Sequence, residues 1–250
     1  MIELSDLTPA AGEGWALLFE LAEEDDRSWV LIGGQMMHLL AVELNATFIR
    51  PTDDVDVVVD VRTRRSGTEW LSGWLLARGF EFAGISADNI GHRFTRAVSC
   101  APGTVVFDVL APEGLGSRAK IYTLRPARTV QVPGSVQALQ RSELVEVSAR
   151  DMAGGRTQGR VRRPSPLGAL IGKAAATRIV GRDNGERDWQ DAALLLSAID
   201  PFALGELTKK DRQRLSLLKP LGDETHPAWR PYDTAAQRAG CAALELLLRS

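Results

Sequence analysis

Along the chain, hydrophobic positions change their period several times, and each change marks an element. Trp15 to Leu21 (WALLFEL) carries apolar residues at helical spacing before the acidic run Glu23, Glu24, Asp25, Asp26, which predicts an amphipathic packing helix. Ser28 to Ile32 reads as a buried strand, Gly33 and Gly34 as a tight turn, and Gln35 to Leu44 as a helix. Val55 to Val59 is VDVVV, β-branched at every apolar position, and predicts a strand. Gly67 to Ala77 predicts a helix with Trp70, Leu71, Trp74 and Leu75 on one side, stopped by Gly79. Short strands follow over Phe80–Phe82, His92–Thr95 and Thr104–Leu110.

Residues 118–150 are less regular. IYTL, TVQV and LVEV alternate as strands do, separated by Pro126, Pro133 and Gly134. Gly154 to Pro164 (GGRTQGRVRRP) is rich in glycine and arginine and poor in apolar residues, the composition of a linker or an exposed hairpin. From there the pattern is helical. Ser165 and Pro166 form a helix start, and Leu167, Leu170, Ile171 and Ala174 make its buried stripe, with Lys173 off it. A second helix from Glu186 buries Trp189, Ala193 and Leu196 and sets Asp188 and Asp191 together on another side. KKDRQRLSLLK and AALELLLRS add amphipathic helical pieces. The fold class is therefore α+β, with a mixed sheet whose polar site faces its open side and a helical C-terminal part. The boundary is expected at 150/151, giving a strand-extended core over 1–150 and a helical domain over 151–250.

Composition sharpens this picture only in places. A chain of 250 residues with 44% hydrophobic and 25% charged content fits a globular protein of one large or two small domains. No apolar run approaches the roughly 20 residues that span a bilayer, and the start lacks a secretion signal; no membrane partner and a cytoplasmic location are the expectations. Cys100 and Cys241 lie far apart without zinc or disulfide spacing and read as packed thiols. The net charge of −2 hides an asymmetry: Arg118 to Arg182 holds 13 Lys or Arg against three acids, a local +10, which leaves −12 elsewhere. A basic segment beside an acidic one suits a polyanionic substrate, or simply a solvated basic face.

The acidic chemistry centres on RPTDDVDVVVD. Asp54 and Asp56 are spaced i, i+2 in an apolar strand, so they share one face with Cα atoms roughly 6.5–7 Å apart, and ionised carboxylates there need a compensating cation. Asp108, in VVFDVLAP, shares a face with Val106 and Leu110. If its strand pairs beside Val55–Val59, three carboxylates converge, and Asp54, Asp56 and Asp108 could hold two magnesium ions about 3.5–4 Å apart for in-line displacement at phosphorus. Asp108 would then help to deprotonate the acceptor hydroxyl. Gly33 and Gly34, before a helix, allow the close approach of a phosphate to backbone N–H groups. Asp53 and Asp60 read as charges in water. His38, His92 and His226 have no zinc spacing, and His38 suits a packed core. Neither GxSxG nor GxGxxG is present, which removes the serine-hydrolase and dinucleotide readings.

LIGGQMMHLL, RPTDDVDVVVD, HRFTR and VVFDVLAP together resemble the nucleotidyltransferase superfamily with a polymerase-beta-like core, whose signature is hGG, a spacer, then DhDh. More narrowly the chain resembles AbiEii-type bacterial nucleotidyltransferases, the toxin halves of type IV toxin–antitoxin pairs that include the mycobacterial MenT-type enzymes. The resemblance spans roughly residues 28–196. It places Arg50 and Thr52 before the acid pair, matches PLGALIGKAAATR to a phosphate-contacting helix through Lys173 and Arg178, and matches GERDWQDAALLL to a further acidic segment through Asp188 and Asp191. The nineteen residues between Gly34 and Asp54 exceed the usual superfamily spacer, which implies an extended helix or Asn45–Pro51 loop. The resemblance implies a nucleotidyltransferase-like core closed by a helical domain, an NTP substrate, and transfer of NMP to a hydroxyl with release of pyrophosphate. It also implies an RNA acceptor, with tRNA the leading case, and a cognate antitoxin. A non-catalytic nucleotide- or RNA-binding module and a protein phosphotransferase are the alternatives.

Overall fold

The computed structural model describes residues 1–47, 52–179 and 185–249, and within them the chain is α+β. It opens with β1 (Ile2–Leu7), which no pattern announced: only Leu4 and Leu7 of its six residues are buried, as suits a strand at a sheet edge. Helix α1 (Pro9–Glu24) follows, capped by the Thr8 hydroxyl accepting from Ala11 N at 3.1 Å, with Pro9 in the first turn. Trp15, Leu18 and Leu21 are fully buried along it. Then come β2 (Trp29–Ile32), α2 (Gly33–Glu43), β3 (Val55–Val59), α3 (Gly67–Leu76), β4 (Glu81–Phe82), β5 (Arg93–Ala97) and β6 (Thr104–Pro112). The glycine pair does not form a turn ahead of α2. It forms the helix's first two residues, with Gly33 at φ +71°. Residues 48–51 of the spacer, including Arg50, lie outside the described residues.

One sheet has the order β2-β3-β6-β5-β4, with β2–β3, β5–β6 and β4–β5 antiparallel and β3–β6 parallel; β7 (Gln131–Val132) pairs with β6 in parallel. Alternation along the strands gives this sheet two different faces. Val55, Val57, Val59, Phe94, Val105, Phe107 and Val109 enter the main core. Val30, Val58 and Leu110 point the other way and form a smaller cluster with Ala138 of α4 (Ser135–Gln140). Asp56 and Asp108 stand on this second face, flanked by that apolar cluster. Helix α4 packs on part of this face through Ala138, while the side chains of Asp54 and Arg93 stay nearly half exposed.

The irregular middle differs from its pattern. IYTL forms no strand beyond a lone bridge between Tyr122 and Arg128, and TVQV contributes only β7. LVEV lies within β8 (Ser142–Asp151), and of the two readings of the glycine- and arginine-rich segment the hairpin holds and the linker does not: Arg156–Pro164 is β9, paired with β8 in antiparallel register from Ser142↔Pro164 to Arg150↔Arg156. Together with β1, which runs parallel to β8, these strands form the second sheet. Strand β9 packs on α1, where a side chain in place of Gly159 would run into Phe19. Arg163 is the reason its composition misled, since it is buried and paired with Glu43 at 2.6 Å and Glu143 at 3.0 Å. Residue 150 falls near the end of β8, inside this hairpin.

Helices α5 (Pro166–Ala176), α6 (Glu186–Ala198), α7 (Lys209–Leu215) and α8 (Thr234–Arg249) complete the chain. Ser165 caps α5, and Leu167, Leu170, Ile171 and Ala174 are buried as their spacing requires. Ala193 and Leu196 are buried on α6, whereas Trp189 is only half-buried against His226. Trp74 joins the core, while Trp70 stays partly exposed with the Arg64 guanidinium 3.7 Å from its ring centroid. Cys100 is exposed and Cys241 partly so; both are free thiols. Among the described residues no helix is long and apolar enough to cross a membrane.

Candidate active site

Three strands bring one row of charged side chains together. Asp56 of β3 is the register partner of Asp108 of β6, and Asp108 is in turn the partner of Arg93 of β5. Residues directly opposite one another in neighbouring strands project to the same side of the sheet, so Asp56, Asp108 and Arg93 stand side by side. Arg93 holds Asp108 in a two-pronged pair, Nε to Oδ1 at 2.9 Å and Nη2 to Oδ2 at 2.8 Å, and reaches Asp54 Oδ2 at 3.3 Å. The Asp108 side chain is 4% exposed, whereas those of Arg93 and Asp54 are 43% and 45% exposed. Hydrogen bonding to Asp108, opposed by burial and aided by the charges of Asp108, Asp54 and Asp56, pushes the guanidinium pKa above its usual value. The expected cation is thus present in part as a side chain. Arg93, in the HRFTR run, was given no role by the sequence; its signal was a basic residue in the strand beside an acid-bearing one.

Backbone positioning around the row is tight. At Gly33 a Cβ would fall 2.7 Å from Asp56 Cγ, and at Gly34 a Cβ would fall 2.8 Å from Thr52 Cβ. Gln35, fully buried, accepts from Trp15 Nε1 at 2.9 Å and donates to the Thr52 carbonyl at 2.8 Å, which ties α1 and α2 to the chain entering β3. Asp53 is not simply a charge in water, since it accepts from the Thr8 hydroxyl at the cap of α1. Asp60 organises the turn after β3 by accepting from Arg62 N at 3.0 Å and the Thr63 hydroxyl at 2.6 Å. His92 Nε2 lies 4.0 Å from Asp108 Oδ2, and His38 is held below the usual imidazole pKa by burial.

Across from the sheet, Lys173 is no solvated lysine. Its side chain is 12% exposed, and Nζ lies 2.6 Å from Asp191 Oδ2 and 3.1 Å from Asp188 Oδ1. The i, i+3 spacing on α6 presents both carboxylates to the same ammonium. Burial lowers the Lys173 pKa, but the charges and hydrogen bonds of Asp191 and Asp188 more than offset it, so the ammonium titrates above its ordinary value. Asp191 is the more buried of the two acids and makes the shorter contact.

A cavity of about 560 Å³ joins the two clusters. Gly33, Asp56, Arg93 and Asp108 line its sheet side, and Lys173 and Asp188 its helical side. Ile32, Met36, Leu110, Val130, Val132 and Ala138 supply apolar wall between them. Its size falls in the range of small-molecule sites. Arg178 is not brought in: it is exposed past the end of α5, and five residues from Lys173 is about 140° around a helix.

As oxygen donors, Asp54, Asp56 and Asp108 match what magnesium prefers. Their arrangement does not match as it stands, because Arg93 engages both oxygens of Asp108; among the described residues, no three of His, Cys, Asp or Glu are grouped so as to hold a metal ion. The basic segment is also partly spent inside the fold. Arg141 pairs with Asp211 and Arg163 with two glutamates, while Arg125 and Arg128 lie over the Tyr122 ring; Arg182 lies outside the described residues. No family model matches the chain, and no curated protein matches it in sequence.

Proposed function

We propose that the protein is a magnesium-dependent nucleotidyltransferase with a nucleotidyltransferase-like core, acting on an NTP and a hydroxyl acceptor. The observation that carries this reading is the in-register Asp56–Asp108 pair on the wall of a cavity that Lys173 lines from the other side. In the reaction the acceptor oxygen bonds to the α-phosphorus, the bond from that phosphorus to the pyrophosphate oxygen breaks, and the hydroxyl proton passes to a carboxylate of the site. Asp54, Asp56 and Asp108 would hold magnesium, which polarises the phosphate and offsets charge on the departing pyrophosphate. Lys173 would contact the triphosphate by exchanging its longer contact, to Asp188 at 3.1 Å, for a phosphate oxygen, while Asp191 at 2.6 Å keeps the ammonium oriented. Gly33 leaves room at the head of α2 for the Asp56 carboxylate, which fills the space a side chain there would need. The apolar wall suits the base and ribose.

The likeness to AbiEii-type toxins extends the reading to an RNA acceptor, with tRNA the leading case, and to restraint by a separate antitoxin. A second reading, a nucleotide- or RNA-binding module without turnover, draws on the two-pronged hold of Arg93 on Asp108. Incubation with total RNA, magnesium and NTPs labelled at the α or γ position separates these, alongside calorimetry with NTP. Transfer of α-label, lost in a folded Asp54→Asn variant, is the expected result. NTP binding without transfer to any acceptor favours the module; transfer of γ-label makes the protein a phosphotransferase.

A further inference from the structure

We propose that Arg93 is a resident counter-ion of Asp108 and Asp54, and that a divalent cation and the Arg93 guanidinium exclude one another from these two carboxylates. The inference rests on the reading of these carboxylates as metal ligands, and adds how they are kept compensated before metal arrives. Asp108 cannot stand ionised and alone at 4% side-chain exposure, since water reaches it too poorly to solvate the charge. Arg93 meets that need because the antiparallel β5–β6 register sets it opposite Asp108. Its planar fork takes both Asp108 oxygens at 2.8–2.9 Å, and the same Nη2 bridges to Asp54 at 3.3 Å.

The two partners differ in how readily they let go. Asp54 and Arg93 are each nearly half exposed, so their contact is screened and weak. Asp108 is not, and it gives up a guanidinium bond only as another cation replaces it. A dication at the carboxylates therefore takes the place of the Asp54 bridge and at least one of the Asp108 bonds. The displaced guanidinium remains at the cavity wall, which it lines. There it faces the space where an anionic ligand would lie.

Binding of Mn²⁺ by the full chain, followed by electron paramagnetic resonance of the free ion with no nucleotide or acceptor present, tests the exchange. Removing the competing charge in Arg93→Gln is expected to tighten Mn²⁺ binding about tenfold, the order expected for loss of a partly screened charge contact. In metal-free buffer the variant melts lower than wild type, and Mn²⁺ raises its melting temperature by more than it raises the wild type's. Where Arg93→Gln does not fold, Arg93→Lys keeps the charge without the fork and is expected to tighten binding by about threefold. Unchanged or weaker Mn²⁺ affinity in a folded variant overturns the proposal, and so does absence of Mn²⁺ binding by every form. Because no NTP is present, the outcome is independent of transfer: α-label transfer with no Arg93 effect removes this inference alone, and an Arg93 effect without transfer removes the transferase reading alone.

Discussion

Gly33 lies so close to Asp56 that a methyl group at position 33 would sit 2.7 Å from the Asp56 carboxyl carbon. The same residue has φ +71°, where an L side chain costs about 1–2 kcal/mol before any clash. Gly33→Ala is therefore expected to lose more than that in a denaturant titration, and to displace Asp56 from the row it forms with Asp108. Gly34→Ala meets the Thr52 side chain instead, with no positive φ to add. Calorimetry on the two folded variants is expected to show ligand or metal binding weakened more by the change at position 33. Equal effects would mean that Asp56 does not contribute to binding.

Gln35 links three parts of the structure through one buried amide. Gln35→Leu keeps most of the volume but leaves Trp15 Nε1 and the Thr52 carbonyl without their partner, a loss of about 1–3 kcal/mol for each buried group so orphaned. The expected signature is a lower denaturation midpoint together with faster hydrogen exchange in the segment leading to Asp54. A midpoint unchanged from wild type would show that water or a neighbouring group takes over both bonds.

Lys173 and its two aspartates form a cluster whose parts are not separable. Lys173→Met leaves Asp191, 5% exposed, beside Asp188 without their shared cation, and breaking such a buried pair costs about 3–5 kcal/mol. Adding Asp191→Asn removes the more buried of the stranded charges, so the double variant is expected to be more stable than Lys173→Met alone, measured by urea titration. The pH dependence has a definite sign. The Lys173 pKa is raised in the fold, so its contribution is complete below the ordinary 10.5 and disappears only as pH climbs through the higher folded value. The gap between wild type and Lys173→Met is expected to hold across neutral pH and to close only in strong alkali.

Strands and helices with an unbroken apolar period were legible in the chain. Val55–Val59 and the Ser165-capped helix lie where the pattern put them, because burial of Val57 or Leu170 is encoded locally. Three features escaped for one shared reason, that pairing across the sequence decides them. The first is β1, whose outward residues are polar and whose partner β8 lies about 145 residues away. The second is the buried end of the β8–β9 hairpin, where Arg163 looks solvent-exposed until Glu43 and Glu143 are brought to it. The third is Arg93. The acid side of the site could be read from Asp56 and Asp108, each anomalous within its own strand; Asp54 lies just ahead of β3, half-exposed, and not inside the strand as its spacing suggested. An arginine in a half-exposed strand is ordinary, and its role emerges only from the register that sets it against Asp108. For Asp188 and Asp191, helix spacing shows that the two share a side, but not which lies nearer to Lys173.

Arg141 and Asp211 couple the covering helices to the sheets at some distance from the cavity. Asp211 closes a capping box with Thr208 at the start of α7, accepting from Thr208 N at 2.9 Å while its own N–H donates to the Thr208 hydroxyl at 3.2 Å. It also takes Arg141 Nη2 at 2.6 Å, just ahead of β8, and α7 packs on α5, the helix that carries Lys173. Burial raises the Asp211 pKa, but the Thr208 and Arg141 contacts outweigh it, so the carboxyl is held below 3.8. A carboxylate with a depressed folded pKa stabilises fully above its ordinary value and loses that contribution as pH falls through the folded one. Asp211→Asn is expected to cost about 1–3 kcal/mol at neutral pH, from the weakened cap and the lost charge-assisted bond. Melting curves of the two proteins should begin to converge as pH drops below 3.8 and meet only once it has passed the lower folded value, where the wild-type carboxyl is neutral as well. A gap that persisted in acid would assign the loss to packing of the side chain instead of its charge. NTP affinity of the variant, measured where it is still fully folded, then shows whether loosening α7 reaches Lys173 through α5; an affinity equal to wild type would confine the effect of the Arg141–Asp211 pair to stability.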